Sequence, residues 1–171
     1  MLVEGNGWTK PADDTFRLNV DAAVVRDSSV FGLGIVVRDD CGMPVFAAAI
    51  AERGLVSVEA AEAKAILEGL RVAVQRDFLP IAIESDALNV VRLCRFEDFI
   101  RSDLGNFIQD IQDLLSACAS SSISFIPRHL NSMAHALASK ALSLNCALFW
   151  DSWFPDWLLD LASVDVFSSC F

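Results

Sequence analysis

Cysteine pairs at metal-binding or redox spacing are missing from this chain of 171 residues. Cys41, Cys94, Cys118, Cys146 and Cys170 are separated by 53, 24, 28 and 24 residues, which excludes a CxxC-type zinc or redox motif. An odd, unpatterned set reads as free thiols in a reducing compartment, packed as small hydrophobes. No apolar run approaches the ~18 residues of a membrane span. The first residues, Met1-Leu2-Val3-Glu4-Gly5-Asn6, lack the basic region and apolar stretch of a secretory signal. Basic targeting clusters, internal repeats and low-complexity linkers are absent as well. These absences predict a soluble intracellular protein of the nucleus or cytoplasm, with no membrane partner. Positive charge is scarce: 13 Lys and Arg against 23 Asp and Glu give a net charge of −10 and a pI near 4.5. That argues against tight, sequence-independent attraction to a phosphate backbone, which needs clustered cations. A local basic patch or a cation-bridged phosphate contact stays open.

Apolar residues make up 54% of the chain, enough for a sizeable core in one domain. Residues 1–15, with Trp8 and Pro11, read as an extended lead-in. Three apolar runs, 16–25, Val30 to Val37 and Pro44 to Ala51, are joined by the short turns Asp27-Ser28-Ser29 and Asp39-Asp40-Cys41-Gly42. They predict an antiparallel meander. Gly32 and Gly34 inside the second run point to a bulge or to another backbone approaching closely. The period then turns helical from Ser57, a candidate N-cap, to Gln75. A fourth strand follows from Pro80 to Ser85, then helices from Asp86 and over 102–119, a fifth strand from Ile123 to Pro127 and a helix from Asn131 to Leu144. This order predicts a mixed sheet whose fourth and fifth strands join in parallel through helical crossovers, with helices on both faces. The domain is expected over 16–146. Residues 147–171, with Trp150, Trp153 and Trp157, are expected as an aromatic extension packed on it. Those rings would form a lid over a core edge or a base-stacking or partner surface.

Three carboxylates stand out against this pattern. Asp21 lies inside the first strand, where aspartate is disfavoured, among Leu18, Val20, Ala22 and Val24. Asp86 ends the fourth strand at its carboxyl edge, where open α/β sheets place ligands. Glu62 lies in the first turns of the helix leading into that strand. A carboxylate buried beside an apolar element costs several kcal/mol unless it is paired or binds a cation. One shared divalent-ion site would explain all three. Taken singly, Asp86 could be an N-cap, Glu62 an exposed helical side chain, and Asp21 a solvent-facing one.

Asn19-Val20-Asp21-Ala22-Ala23, Phe31 through Asp39, Ala61-Glu62-Ala63 through Glu68-Gly69-Leu70, Glu84-Ser85-Asp86 and Asn131 through Ala138 resemble, in this order, the ribonuclease H type 1 domain. The nearest likeness is to its plant reverse-transcriptase-associated branch, which the ending Trp150 through Leu159 also resembles. The likeness spans roughly residues 8–165. It implies an α/β ribonuclease H-like fold with a five-stranded sheet in the order 3-2-1-4-5. It further implies endonucleolytic cleavage of the RNA strand of RNA–DNA hybrids. By that likeness Asp21, Glu62 and Asp86 hold two divalent ions, Mg²⁺ or alternatively Mn²⁺. Asp21 would bridge both ions, Asp86 would hold the one activating water, and Glu62 would hold the other and contact the ribose 2′-OH.

Where the family often carries a fourth carboxylate, this chain has His135. It is taken as catalytic, as a weak ligand or proton shuttle; the alternative is a ring packed on a helix face. Asn19, Arg128 and Asn131 are expected at the substrate, Arg128 through a phosphate unless it is simply solvated. His129 is assigned no role. The family's basic protrusion is not visible: Arg92, Arg95 and Arg101 are accompanied by Glu97 and Asp98. Weak substrate affinity follows, and a fused or partner module would supply grip. Two other readings remain: a catalytically weak or inactive nucleic-acid-binding or protein-interaction module derived from a retroelement, and an exonuclease of the same fold superfamily.

Overall fold

A computed structural model describes residues 14–96 and 102–168 of the protein. The lead-in expected over 1–15 falls almost wholly outside them, as does Arg101. Strands β1 (Phe16–Val24), β2 (Val30–Arg38) and β3 (Pro44–Arg53) form the expected antiparallel meander. Helix α1 (Val58–Gln75) leads to β4 (Ile81–Ser85), which pairs parallel with β1. Helices α2 (Leu88–Arg95) and α3 (Asp103–Ala117) lead to β5 (Ser122–Phe125), parallel to β4. After a short turn, Arg128–Leu130, come α4 (Ser132–Leu144), β6 (Ala147–Trp150) and α5 (Asp156–Ser168). No helix among the described residues is long and apolar enough to cross a membrane.

The sheet has six strands in the order β5-β4-β1-β2-β3-β6, not five. The expected order is intact, and the sixth strand pairs antiparallel with β3, Ala47 opposite Trp150 and Ile50 opposite Ala147. Four residues are too few to show a period, so this run reads from sequence as part of the aromatic tail. Trp150 is buried and meets Trp157 edge-on with ring centres 6.3 Å apart, whereas Trp153 is exposed.

The two faces of the sheet differ. Leu18 and Val20 of β1 point toward α1, joining Leu33, Ile35, Ile66, Leu70 and Ile83 in the larger apolar core. Ser57 caps α1, its Oγ accepting from the Ala60 amide at 3.1 Å, as its position before the apolar run predicts. The opposite face is covered by α4 and α5, whose Met133, Leu137, Leu158 and Ala162 pack on Val36, Ala47 and Ala49.

Helix α4 lies almost on the backbone of β2. A Cβ built on Gly32 would come 2.2 Å from the Ala138 carbonyl oxygen, and one on Gly34 would come 2.0 Å from that of Ala134. The two glycines therefore serve close approach; the ladder irregularity lies elsewhere, between Val37 and Arg38. Because the obstruction is helix backbone, Gly34→Ala cannot be absorbed by a rotamer change. It is expected to destabilise by about 3 kcal/mol, the upper end for overpacking, read as a lower urea midpoint at unchanged slope.

Candidate active site

The register of parallel strands brings the carboxylates together. β1 and β4 pair with Val20 opposite Ser85, so the next residues, Asp21 and Asp86, emerge side by side. α1 leads into β4 and runs back against it, which puts its first turns, and Glu62, at the same end of the sheet. One oxygen from each of Asp21, Glu62 and Asp86 lies within 4.8 Å of the others. Asp21 is 3% exposed and Glu62 8%, while Asp86 is half-buried. Asp86 does not cap α2: the cap position is Ala87, and no side chain caps that helix. Instead the buried Asn131 holds it, its Nδ2 donating to Asp86 Oδ1 at 3.1 Å and to the Val20 carbonyl at 2.9 Å.

Electrostatically the cluster is dominated by the repulsion of its three carboxylates. Burial, then the neighbouring Asp21 and Asp86, push the Glu62 carboxyl up to about 9. Burial raises Asp21 too, against the hydrogen bond from His135. Glu62 Oε2 is buried without a hydrogen-bond partner among the described residues. Hard oxygen donors, mutual repulsion and an orphaned buried carboxylate oxygen fit a divalent cation such as Mg²⁺ or Mn²⁺. Below pH about 9 a cation must displace the Glu62 proton. Mg²⁺ affinity is therefore expected to rise about tenfold per pH unit around neutrality. Calorimetry in two buffers of different ionisation heat would count the released proton; an affinity flat between pH 6.5 and 8 would contradict this.

His135, in the first turn of α4, places Nδ1 2.8 Å from Asp21 Oδ2. Arg128 Nη2 is 3.3 Å from the same nitrogen. One nitrogen cannot donate and accept at once. The shorter contact, to an acceptor-only carboxylate, assigns the Nδ1 proton to Asp21 and leaves Arg128 beside the pair. Arg128 also lines a cavity of about 270 Å³ together with Glu59, Glu62, Asp86 and Asn89. His129, on the same turn, is exposed.

A family model described as reverse transcriptase-like matches residues 19–141. That stretch contains Asp21, Glu62, Asp86 and His135. The chain belongs to the reverse transcriptase-like family of RNase H fold. RNase H1 from the halophilic archaeon Halobacterium salinarum is similar to it at 25% identity and TM-score 0.69, covering 75% of this chain and 98% of that one. The N-terminal RNase H domain of a Mycobacterium tuberculosis protein is similar at 24% identity and TM-score 0.64, covering 76% and 94%. An RNase H1 isolated from compost, LC11, in complex with RNA/DNA hybrid, has 17% identity and TM-score 0.67 over 77% and 99%. No curated protein sequence matches the chain.

Within this RNase H fold the structure separates the expected site residues. Asp21, Glu62, Asp86 and His135 converge, and Arg128 borders them. Asn131 is 1% exposed and holds Asp86 from behind rather than facing the cavity. Asn19, also 1% exposed, is not brought to the site. Its Nδ2 donates to Glu84 Oε2 at 2.8 Å, and its Oδ1 accepts from Arg38 Nε at 3.1 Å. The reason is steric: β4 and β2 flank β1 and α4 covers it, so no solvent reaches Asn19. Sequence reasoning missed Arg17, Arg38, Glu84 and Asp165 as buried members of this chain of contacts. A signal was present in β1, where Arg17, Asn19 and Asp21 alternate with Leu18 and Val20 on one strand.

Proposed function

We propose that this RNase H-like protein is a divalent-metal-dependent endoribonuclease that cleaves the RNA strand of RNA–DNA hybrids. The observation that carries this reading is the convergence of Asp21, Glu62 and Asp86 within 4.8 Å, with one Glu62 oxygen buried and unpartnered among the described residues. These three carboxylates would hold the metal. When bound, two such ions supply an activated water and neutralise charge at the scissile phosphate.

The chain's own residues contribute the rest. Asn131 fixes the Asp86 carboxylate, so ordering it requires no rearrangement at binding. His135 orients Asp21 through Nδ1 and has Nε2 available to take or give a proton at the site's exposed rim. Arg128 offers the cavity a cation for a backbone phosphate, and fixes register rather than sequence. Glu62, at the cavity wall, is within the region where a ribose 2′-OH would be distinguished from hydrogen. With a net charge of −10, grip on the hybrid is weak unless a fused or partner module supplies it.

The same charge, and the hydrogen bond that engages one Asp21 oxygen with His135, favour a second reading: a module that binds nucleic acid or protein without cutting. Incubating the protein with a labelled hybrid and Mg²⁺ or Mn²⁺, beside Asp86→Asn, separates the two. Metal-dependent cleavage of the RNA strand, lost in the variant, is the expected result. Intact RNA at low salt and high protein concentration would reject the enzyme in favour of the module.

A further inference from the structure

We infer that Asp165 of α5 is a positioning residue for the carboxylate site, acting through Arg38, Asn19 and Glu84; its metal-binding consequence rests on the reading above. Asp165 lies outside the stretch matched by the family model, residues 19–141, yet it completes a chain of contacts inside that stretch. Arg38, 1% exposed, donates from Nη1 to Asp165 Oδ2 at 3.1 Å and from Nε to Asn19 Oδ1 at 3.1 Å. Asn19 Nδ2 donates to Glu84 Oε2 at 2.8 Å, and the other Glu84 oxygen pairs with Arg17. From the opposite side Ser132 Oγ reaches Asp165 Oδ1 at 3.5 Å.

Each grip falls just behind a residue of the site. Asn19 and Asp21 share a face of β1 with one residue between them. Glu84 stands two residues before Asp86. Ser132 follows Asn131, whose amide holds Asp86. β1 is paired with β2 from Arg17 to Val24 and with β4 from Phe16 to Val20, so Asn19 is held on both sides and Asp21 by β2, which leaves the backbone little freedom between them. A sideways displacement of Asn19 or Glu84 is thus carried to the carboxylate beyond it. Two guanidiniums and two carboxylates balance in charge, which lets the chain stay buried. Hydrogen bonds fix direction as well as distance, a constraint that apolar packing of equal volume would not impose.

The test compares wild type with Asp165→Asn and with the double variant Arg38→Met/Asp165→Leu. The double variant replaces the buried pair by apolar side chains, and its stability is expected to return. Two measurements read the site: the Mn²⁺ dissociation constant by calorimetry, and the Asn131 side-chain amide signals in ¹H–¹⁵N spectra of metal-free protein. Positioning predicts Mn²⁺ bound about tenfold more weakly by both variants and displaced Asn131 signals. In the double variant these changes persist at a melting temperature near that of wild type. Wild-type Mn²⁺ affinity and unmoved Asn131 signals in the double variant would overturn the inference and leave the pair a packing element. If wild type binds no Mn²⁺, the hydrolytic reading fails instead, and the Asn131 signals alone decide the inference.

Discussion

Glu62→Gln is expected to make the metal-free protein more stable than wild type at pH 7 while removing metal-dependent cleavage. The folded-state value of about 9 lies far above the ordinary 4.5 of a glutamate, so the native protein retains a proton that the unfolded chain gives up. The stability tied to that proton is complete below pH 4.5 and is lost as pH rises from there through about 9. By pH 7 the loss is roughly 3 kcal/mol. Glutamine has the shape of the protonated acid and carries no such loss. It is also a poor cation ligand, so cleavage should fall by about 10³-fold, equivalent to about 4 kcal/mol in the barrier. Urea unfolding in the presence of a chelator measures the first effect. The gap between variant and wild type should widen from pH 5 to pH 8. An equal gap at both would show that Glu62 is not held protonated, and a variant that still cuts would remove it from the metal site.

Asp165→Ala is expected to destabilise the protein by about 3–5 kcal/mol, the cost of breaking a buried ion pair from one side. Burial pulls the Arg38 guanidinium down from its ordinary value, and the Asp165 carboxylate is the strongest influence against that. With the carboxylate gone, a side chain that is 1% exposed keeps its charge without its nearest counter-ion. Replacing Arg38 and Asp165 together by apolar residues should recover most of the loss, because neither member of the pair is then left buried without its partner, and the remaining buried guanidinium, Arg17, keeps Glu84. Urea unfolding measures both. A single-variant loss below about 1 kcal/mol, the scale of an exposed pair, would mean that the pair behaves as a surface contact.

Such a pairing could not be read in advance. Arg38 closes an apolar run and Asp165 lies in a run of Leu, Ala and Val, 127 residues away. Nothing local to either announces the other. α5 is mostly apolar, and its buried Asp165 lies on the side opposite Asp156, Asp160 and Ser163, which blurs the helical period that is clear in α1. β6 is four residues long, too short for alternation to register. Asn19 and Asn131 each open a motif of the family resemblance, and membership of a motif does not reveal which way a side chain faces once the elements pack. The packing of α4 on β1 seals Asn19, and Asn131, just before α4, is turned onto the Val20 carbonyl and Asp86.

The chain's local chemistry was sufficient for the meander, the helices α1, α3 and α4, and the candidacy of Asp21, Glu62, Asp86 and His135. Residue period and a charged group in an apolar run are properties of neighbours along the backbone. Folding alone decided the sixth strand, the covering of one sheet face by α5, and which polar groups face the cavity and which are sealed behind it. Those outcomes depend on strand register and on contacts between residues far apart in sequence, whose energies exist only once the chain has closed on itself.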